Sequence, residues 1–322
     1  MRSTLLAGLA ITLWAGGSGD PAYAASCPAA TTEALEIRGS TLCVAMGDPA
    51  PGRREILHAW VERSARIVAQ YYGRFPAALV LIELDDRPGE GVGGGRTTND
   101  GGLAIRVNVG SDATAERLAN DWVLVHEMVH LALPEVGRAH NWLAEGLAVY
   151  VEGVARAQFG NRDVADVWAE DRRSMPMGLP REGEGGMDQT SSWGRTYWGG
   201  ALFCLVADVQ IRRETQNRKG LQDALRAVVA ARGTIEYDWS LDKALAIGDK
   251  ATGTRVLTRM YAEWKDKPVT VDLDKLWEEL GVRAQPGGAI EFVATAPLAG
   301  VREAITGGPA EARHVAAQSG RQ

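Results

Sequence analysis

The residues with the clearest chemical potential lie in the stretch VLVHEMVHLAL at positions 123–133. Two histidines four residues apart, His126 and His130, flank Glu127 within this apolar run. On a helix, positions i and i+4 share one face, so both imidazoles can bind one metal ion, while Glu127 can reach a water molecule beside it. The pattern predicts a zinc site with a general base. The competing interpretation is a buried helix with a satisfied pair of core histidines.

A catalytic zinc ion needs a third protein ligand from elsewhere in the chain. A histidine six residues after His130 is excluded, because Val136 stands there. The remaining candidates are His140 and Glu145, and we favour Glu145, which lies in the apolar segment NWLAEGLAVYVE. A buried carboxylate without a partner is costly, whereas a metal ion stabilises it. We therefore predict one zinc ion (Zn2+) per chain, bound by His126, His130 and Glu145, although this ligand set accepts other divalent ions as well.

Glu152 lies seven residues after Glu145, two helical turns along the same face. From there it could hydrogen-bond a ligand histidine and orient its ring. The alternative is an ordinary solvated helix residue, and the sequence does not separate the two.

The chemistry predicted from these parts is hydrolysis of a peptide bond. Zinc lowers the pKa of water toward about 7 and polarises a carbonyl, while Glu127 accepts a proton and passes it to the leaving amine. Such a reaction also needs a hydrogen-bond donor for the developing oxyanion, and a tyrosine hydroxyl beside the metal would serve.

The elements that must position these residues fall into two parts of the chain. Residues 25–110 show a helical pattern at 53–72 and strand patterns at 78–84 and 103–109, which predict a small α/β part. Residues 111–305 are predicted to be mostly helical, with helices at about 114–132, 141–158, 163–173, 196–216, 220–231, 252–265 and 272–280. The predicted fold class is α+β, a small mixed sheet followed by an α-rich bundle.

Two segments lack a regular pattern. Residues 174–195 form a long interruption between helices, and loops of this length are often lids or cleft walls. Residues 306–322 are rich in Ala, Gln and Arg and are predicted to be a disordered tail.

Taken together, HEMVH and the later WLAEGLAVYVE resemble the gluzincin metallopeptidases, the thermolysin-like clan. They are similar to the aminopeptidase N group and, more closely, to the glycyl aminopeptidase family that usually carries a PDZ domain. The segment YWGGALFCLVADVQIRRET, at 197–215, resembles the tyrosine-led helix of that family. The resemblance implies a thermolysin-like catalytic lobe in which His126, His130 and Glu145 bind zinc. It also implies that Glu127 is the general base and Tyr197 the oxyanion donor.

The chain departs from these relatives at the strand expected to bind substrate. The corresponding stretch reads GGGRTTNDGG and lacks the glutamate with which the relatives capture a free amino terminus. Aminopeptidase and endopeptidase action therefore both stay open.

The N-terminus has the features of a secretory signal peptide. Residues 1–24 contain Arg2, an apolar run and an Ala-Tyr-Ala site, which predict cleavage after Ala24 and a periplasmic or secreted protein. No later segment is apolar and long enough to predict membrane insertion of the mature chain. Cys27 and Cys43 could close a small loop in an oxidising compartment, and Cys204, within an apolar run, is predicted to be a buried thiol.

Charge and motif together favour one function over two others. A net charge of -6 with mixed signs gives no footprint for nucleic acid. We predict an exported zinc metallopeptidase that acts on peptide or protein substrates. The alternatives are an envelope interaction or assembly protein with a degenerate metallopeptidase-like lobe, and a zinc hydrolase of non-peptide amides. The oligomeric state does not follow from the sequence.

Overall fold

The computed structural model of the chain describes residues 27–307. The predicted signal peptide, residues 1–24, lies outside the described residues, as does the predicted tail beyond position 307. Within 27–307, no helix combines the length and the apolar character needed to cross a membrane.

A mixed β-sheet occupies the N-terminal part. Its strands lie in the order β1-β2-β3-β5-β4, with β1/β2 and β4/β5 antiparallel and the two central pairings parallel. The bounds are β1 Glu33–Ile37, β2 Ser40–Ala45, β3 Leu79–Arg87, β4 Val92–Thr98 and β5 Ala104–Gly110. Strand β4 forms one edge of this sheet, so its outer backbone groups are available to a ligand.

Along the central strands every second side chain is buried. In β3 the side chains of Val80, Ile82 and Leu84 are buried on one face, and β5 buries Ile105 and Val107 in the same way. Helix α1, Pro51–Tyr72, begins with a proline that suits the first helical turn, and it packs between the sheet and the later helices.

The rest of the described chain is mainly helical. The helices are α2 Ala115–Ala119, α3 Val123–His130, α4 Asn141–Phe159, α5 Val164–Ser174, α6 Gly200–Glu214, α7 Leu221–Ala230, α8 Leu241–Thr252, α9 Val256–Trp264, α10 Leu273–Leu280 and α11 Ala299–Thr306. A short hairpin of β6, Val282–Ala284, and β7, Ile290–Phe292, separates α10 from α11. This arrangement of a mixed sheet and a helical bundle confirms the predicted α+β class.

Several element boundaries differ from the predictions. The helix predicted at 114–132 is broken between α2 and α3, and at the break the Asp121 carboxylate accepts a hydrogen bond from the Leu124 backbone N–H. Helix α8 was not among the predicted helices. Strands β1 and β2 and the β6–β7 hairpin were not predicted, since short strands carry little periodicity.

The two cysteines near the N-terminus form the small loop that the sequence suggested. Cys27 and Cys43 form a disulfide with their Cα atoms 5.4 Å apart, which ties the start of the described chain to β2. Cys204 is a buried free thiol in α6, as predicted.

The segment 174–195, which interrupts the helices, is packed against the rest of the fold and is called the 174–195 wall below. The Asp188 carboxylate within it accepts hydrogen bonds from the Trp142 indole N–H and the Tyr261 hydroxyl, both at 2.8 Å. Near its end, the buried Arg195 donates to the Gly178 carbonyl at 2.5 Å. These contacts hold the segment against α4 and α9.

Candidate active site

Helices α3 and α4 bring the three predicted metal ligands together. The Nε2 atom of His126 lies 3.3 Å from Oε2 of Glu145, and the Nε2 atom of His130 lies 3.6 Å from the same oxygen. One ligand atom from each of the three residues lies within 4.8 Å of the others. The structure therefore gathers His126, His130 and Glu145 into one group with a donor set suited to a metal ion.

The spacing in this group suits zinc. Ligand atoms about 2.0 to 2.2 Å from a tetrahedral zinc ion stand about 3.3 to 3.6 Å from one another. The distances from Glu145 to the two histidines lie in this range. Two imidazoles and a carboxylate are also a ligand set used by catalytic zinc, which leaves a fourth position for substrate or water.

The electrostatics of Glu145 favour its ionised form. Burial alone would raise the pKa of Glu145, but hydrogen bonds and positive charge from His126 and His130 outweigh that effect and lower the pKa to about 2. Glu145 is therefore an anion at neutral pH, the state needed of a metal ligand.

Glu127 lies beside the metal-ligand group and is not part of it. It is buried, and the Thr97 side chain of β4 reaches it: Oγ1 lies 2.8 Å from Oε2 of Glu127 and 2.8 Å from its backbone carbonyl. Gly95, two residues earlier on the same strand, leaves room for this carboxylate. A Cβ atom at Gly95 would lie 2.5 Å from Cγ of Glu127. Thus β4 covers the predicted general base closely.

Tyr197 lies near the group, in a π-helical turn at Arg195–Gly199 that leads into α6. Such turns often occur at functional sites. The Tyr197 ring is stacked near the His126 ring, with centroids 6.5 Å apart. Burial, with the negative charge of Glu145, raises the pKa of the Tyr197 hydroxyl, so it stays protonated and can donate a hydrogen bond.

Two glycines bring Glu145 and Tyr197 together. Gly146 follows Glu145 in α4, and a Cβ atom there would lie 2.2 Å from the Gly200 backbone in α6. A Cβ atom at Gly200 would lie 2.0 Å from the Trp142 carbonyl oxygen. The helices can approach this closely only because both positions lack side chains, and this contact sets Tyr197 beside the metal ligands.

The prediction that Glu152 hydrogen-bonds a ligand histidine is wrong, because the structure gives Glu152 a different partner. Its Oε1 accepts a hydrogen bond from Arg156 at 2.6 Å, one turn along α4, and both side chains are buried. In the described part of the chain the Nδ1 atom of His126 has no hydrogen-bond partner. A buried carboxylate is stabilised by a nearby cation, and Glu152 therefore pairs with Arg156. Arg156 in turn donates a hydrogen bond to the Asn120 carbonyl oxygen.

The other candidate ligand, His140, lies outside the group. Its Nδ1 is 3.1 Å from Oδ1 of Asp188, so it belongs to the contacts that hold the 174–195 wall. The structure thus brings Glu145 to the histidines of α3 and leaves His140 apart.

A cleft of about 710 Å³ lies over the metal-ligand group. Its walls are β4 on one side, the 133–138 turn on another and Tyr197 opposite. The histidines, Glu127, Glu145 and Tyr197 that line this cleft were predicted from the sequence, whereas Thr97 and Gly95 were not. The glycine run before Thr97 was a usable signal, because glycine in a strand often marks close approach of another group.

The fold corresponds to a known class, the catalytic fold of the M1 metallopeptidases. One similar structure is an aminopeptidase N family protein from Idiomarina loihiensis, 14% identical, with a TM-score of 0.56 over 79% of this chain and 49% of that chain. Another is a variant of the M1 zinc metallopeptidase from Deinococcus radiodurans, 15% identical, with a TM-score of 0.50 over 75% of this chain and 52% of that one.

This chain therefore spans about half the length of these solved structures. Their fold agrees with the resemblance to the aminopeptidase N group. They do not support the closer resemblance to the glycyl aminopeptidase family. No protein-family model and no curated protein matches the chain.

Proposed function

We propose that this protein is an exported zinc metallopeptidase that hydrolyses peptide bonds with Glu127 as general base. One observation carries the proposal: Nε2 of His126 and Nε2 of His130 both face Oε2 of Glu145 at zinc-ligand spacing. Glu127 stands next to this group with its carboxylate held by Thr97. A protein that needs zinc only for folding has no use for a carboxylate held in this place.

The residues divide the work of hydrolysis among them. Zinc held by His126, His130 and Glu145 would supply Lewis-acid polarisation of a carbonyl and would lower the pKa of water. The Glu127 carboxylate removes a proton from the attacking water and delivers it to the leaving amine. The Tyr197 hydroxyl, on the other side of the cleft, donates a hydrogen bond to the oxygen on which negative charge develops.

The wall formed by β4 supports a peptide as the substrate. The outer edge of this strand faces the cleft, and an extended peptide can add to such an edge through backbone hydrogen bonds. From Val92 to Thr98 the strand carries no acidic side chain that could bind a free amino terminus. We therefore propose that β4 binds backbone and that the amino terminus is not captured there.

Two further parts of the proposal rest on the sequence. Export to the periplasm or the exterior rests on the signal-peptide pattern of residues 1–24. Kinship with the glycyl aminopeptidase family rests on the segment from Tyr197 to Thr215. N-terminal sequencing of the protein recovered from outside the cytoplasm tests export, and a mature chain beginning at Ala25 is the expected result.

The central test compares the wild type with Glu127→Gln after zinc loading. We expect about one zinc ion per chain in both, and turnover of a peptide library only in the wild type. Wild-type rates in Glu127→Gln would refute the mechanism. Bound zinc without any hydrolysis by the wild type would favour the envelope assembly protein instead.

The same library separates exo from endo action. Each peptide is offered with a free and with an acetylated amino terminus. Equal cleavage of both forms is expected if β4 binds only backbone, whereas strict dependence on the free amine would show that another part of the cleft captures it.

A further inference from the structure

We infer that a second cavity, beside the cleft, binds the substrate on one side of the scissile bond and selects a bulky aromatic or aliphatic side chain there. The inference rests on the proposed function and names part of its substrate class. The cavity has a volume of about 980 Å³ and runs between α4 and α5. It shares Trp122, His126 and Tyr197 with the cleft over the metal ligands.

This continuity determines what can occupy the cavity. A peptide whose scissile bond lies at the metal-ligand group must continue past His126 or Tyr197 on one side. On that side the cavity is the space that adjoins both residues. A chain of extended conformation would therefore pass from the cleft into the cavity without crossing open surface.

Exposed apolar side chains gather at its near end. Across residues 27–307, the large hydrophobic side chains that stand exposed are Trp122, Met177, Trp193 and Tyr237. The first three rim this cavity, and Tyr237 lines neither cavity nor cleft. Trp122 is 52% exposed and Trp193 is 61% exposed. A cluster of exposed apolar groups in one concave place marks a binding site more often than chance surface variation.

The two tryptophans flank the reaction site itself. The Trp122 ring meets the His126 ring edge-on at 5.5 Å, and the Trp193 ring is stacked on the Tyr197 ring at 5.7 Å. A substrate side chain next to the scissile bond would lie between the two indoles. An aromatic or branched aliphatic side chain buries the most apolar area there.

The far end of the cavity has a different character. Charged side chains of both signs line it, and four of the eight form ion pairs, Arg156 with Glu152 and Arg162 with Glu170, both at 2.6 Å. Charges of both signs, half of them already paired, do not favour a substrate side chain of one charge, so we place the selectivity at the near, apolar end. The floor follows α4 from Val149 to Arg156, a length of about 10 Å, which accommodates about three extended residues.

The experiment measures kcat/KM of the zinc-loaded wild type on matched peptides. Each pair differs at one position next to the cleaved bond, with Phe in one peptide and Gly in the other, tested on both sides of the bond. We expect a preference for Phe of about ten- to hundredfold on one side only. Trp122→Ala and Trp193→Ala should reduce this preference at least severalfold, while Tyr237→Ala, an exposed aromatic outside the cavity, should preserve it.

A binding measurement separates this inference from the proposed function. Phe and Gly peptides are titrated into zinc-loaded Glu127→Gln, and tighter binding of the Phe peptide, lost in the double variant with Trp193→Ala, supports the cavity even without turnover. Equal kcat/KM and equal affinity for the two peptides would overturn the inference while leaving hydrolysis intact. Sedimentation with phosphatidylglycerol vesicles that depends on Trp122 and Trp193, without any Phe preference, would also overturn it and would assign the tryptophans to a lipid surface.

Discussion

The Thr97 hydroxyl of β4 lies 2.8 Å from Oε2 of Glu127 in α3, and 2.8 Å from the backbone carbonyl oxygen of the same residue. A single side chain of the edge strand β4 thus contacts both the backbone of α3 and the predicted base. A hydroxyl carries one proton, so it donates to one of these two acceptor oxygens or shares the proton between them.

The first prediction concerns this hydroxyl. Thr97→Val keeps the shape of the side chain but removes the hydrogen bond, so Glu127 loses its fixed orientation. We expect kcat to fall by about ten- to hundredfold with little change in KM and with zinc retained. Thr97→Ser should restore most of the rate. Thr98→Val, on the opposite face of the strand, is the control, and an equal loss there would contradict the positioning role.

Gly95 gives the second prediction, since a Cβ atom there would lie 2.5 Å from Cγ of Glu127. Gly95→Ala must displace the carboxylate or the strand, and we expect a loss of turnover at least as large as in Thr97→Val. Gly93→Ala is a matched control, because its Cβ would meet Asn108 at an ordinary 3.6 Å. Rates measured alongside zinc content distinguish a displaced base from a lost metal. Similar activity of the two variants would refute the steric argument.

The metal ligands give the third prediction. Glu145→Ala removes the oxygen that faces both histidines, so we expect the zinc content after dialysis to fall well below one per chain. His140→Asn should keep one zinc per chain, because His140 contacts Asp188 and lies away from the group. Metal analysis of both purified variants is the measurement. Loss of zinc only in His140→Asn would reverse the choice between the two candidates.

The fourth prediction concerns the hydroxyl group of Tyr197. Tyr197→Phe keeps the ring that is stacked near His126 but removes the hydrogen-bond donor. Because the oxygen of the substrate gains charge only as water adds to the carbonyl carbon, we expect kcat to fall by about a hundredfold while KM changes little. Zinc content should not change. A rise in KM at constant kcat would assign Tyr197 to substrate binding instead.

The sequence allowed the candidate metal ligands to be predicted because their positions follow from local helical geometry. His126 and His130 are one turn apart, and Glu145 stood out as a carboxylate in an apolar helix. Thr97 could not be found in this way. Its contact with Glu127 joins a strand and a helix 30 residues apart in the chain, and no local spacing encodes such a contact.

The error at Glu152 has a different cause. Glu152 was assigned to a ligand histidine because it shares a helix face with Glu145. Arg156 stands one turn further along α4 and forms a buried ion pair with Glu152. That i,i+4 pair was visible in the sequence. The break between α2 and α3 was visible too, since the Asn-Asp pair at 120–121 favours a cap over a continuous helix.

The fifth prediction concerns stability and pH, and it depends on Asp171 in the wall of the second cavity. Burial raises the pKa of Asp171 to about 8, and the negative charge of Glu170 acts in the same direction. The ordinary pKa of this carboxyl is 3.8. Between these two values the folded protein keeps a proton that the unfolded chain has released. The free energy of unfolding contributed by this group therefore falls as pH rises from about 4 to 8 and is constant above that range.

Asp171→Asn resembles the protonated carboxyl and removes this dependence. We expect urea unfolding to show the variant gaining stability relative to the wild type as pH rises from 5 to 8, with no further gain at pH 9. Glu278→Gln, which removes one exposed charge, is the matched control. The measurement uses metal-free protein throughout, so that zinc release from the histidines at low pH does not enter the comparison. Parallel stability curves for the wild type and Asp171→Asn would show that Asp171 is ionised in the folded protein.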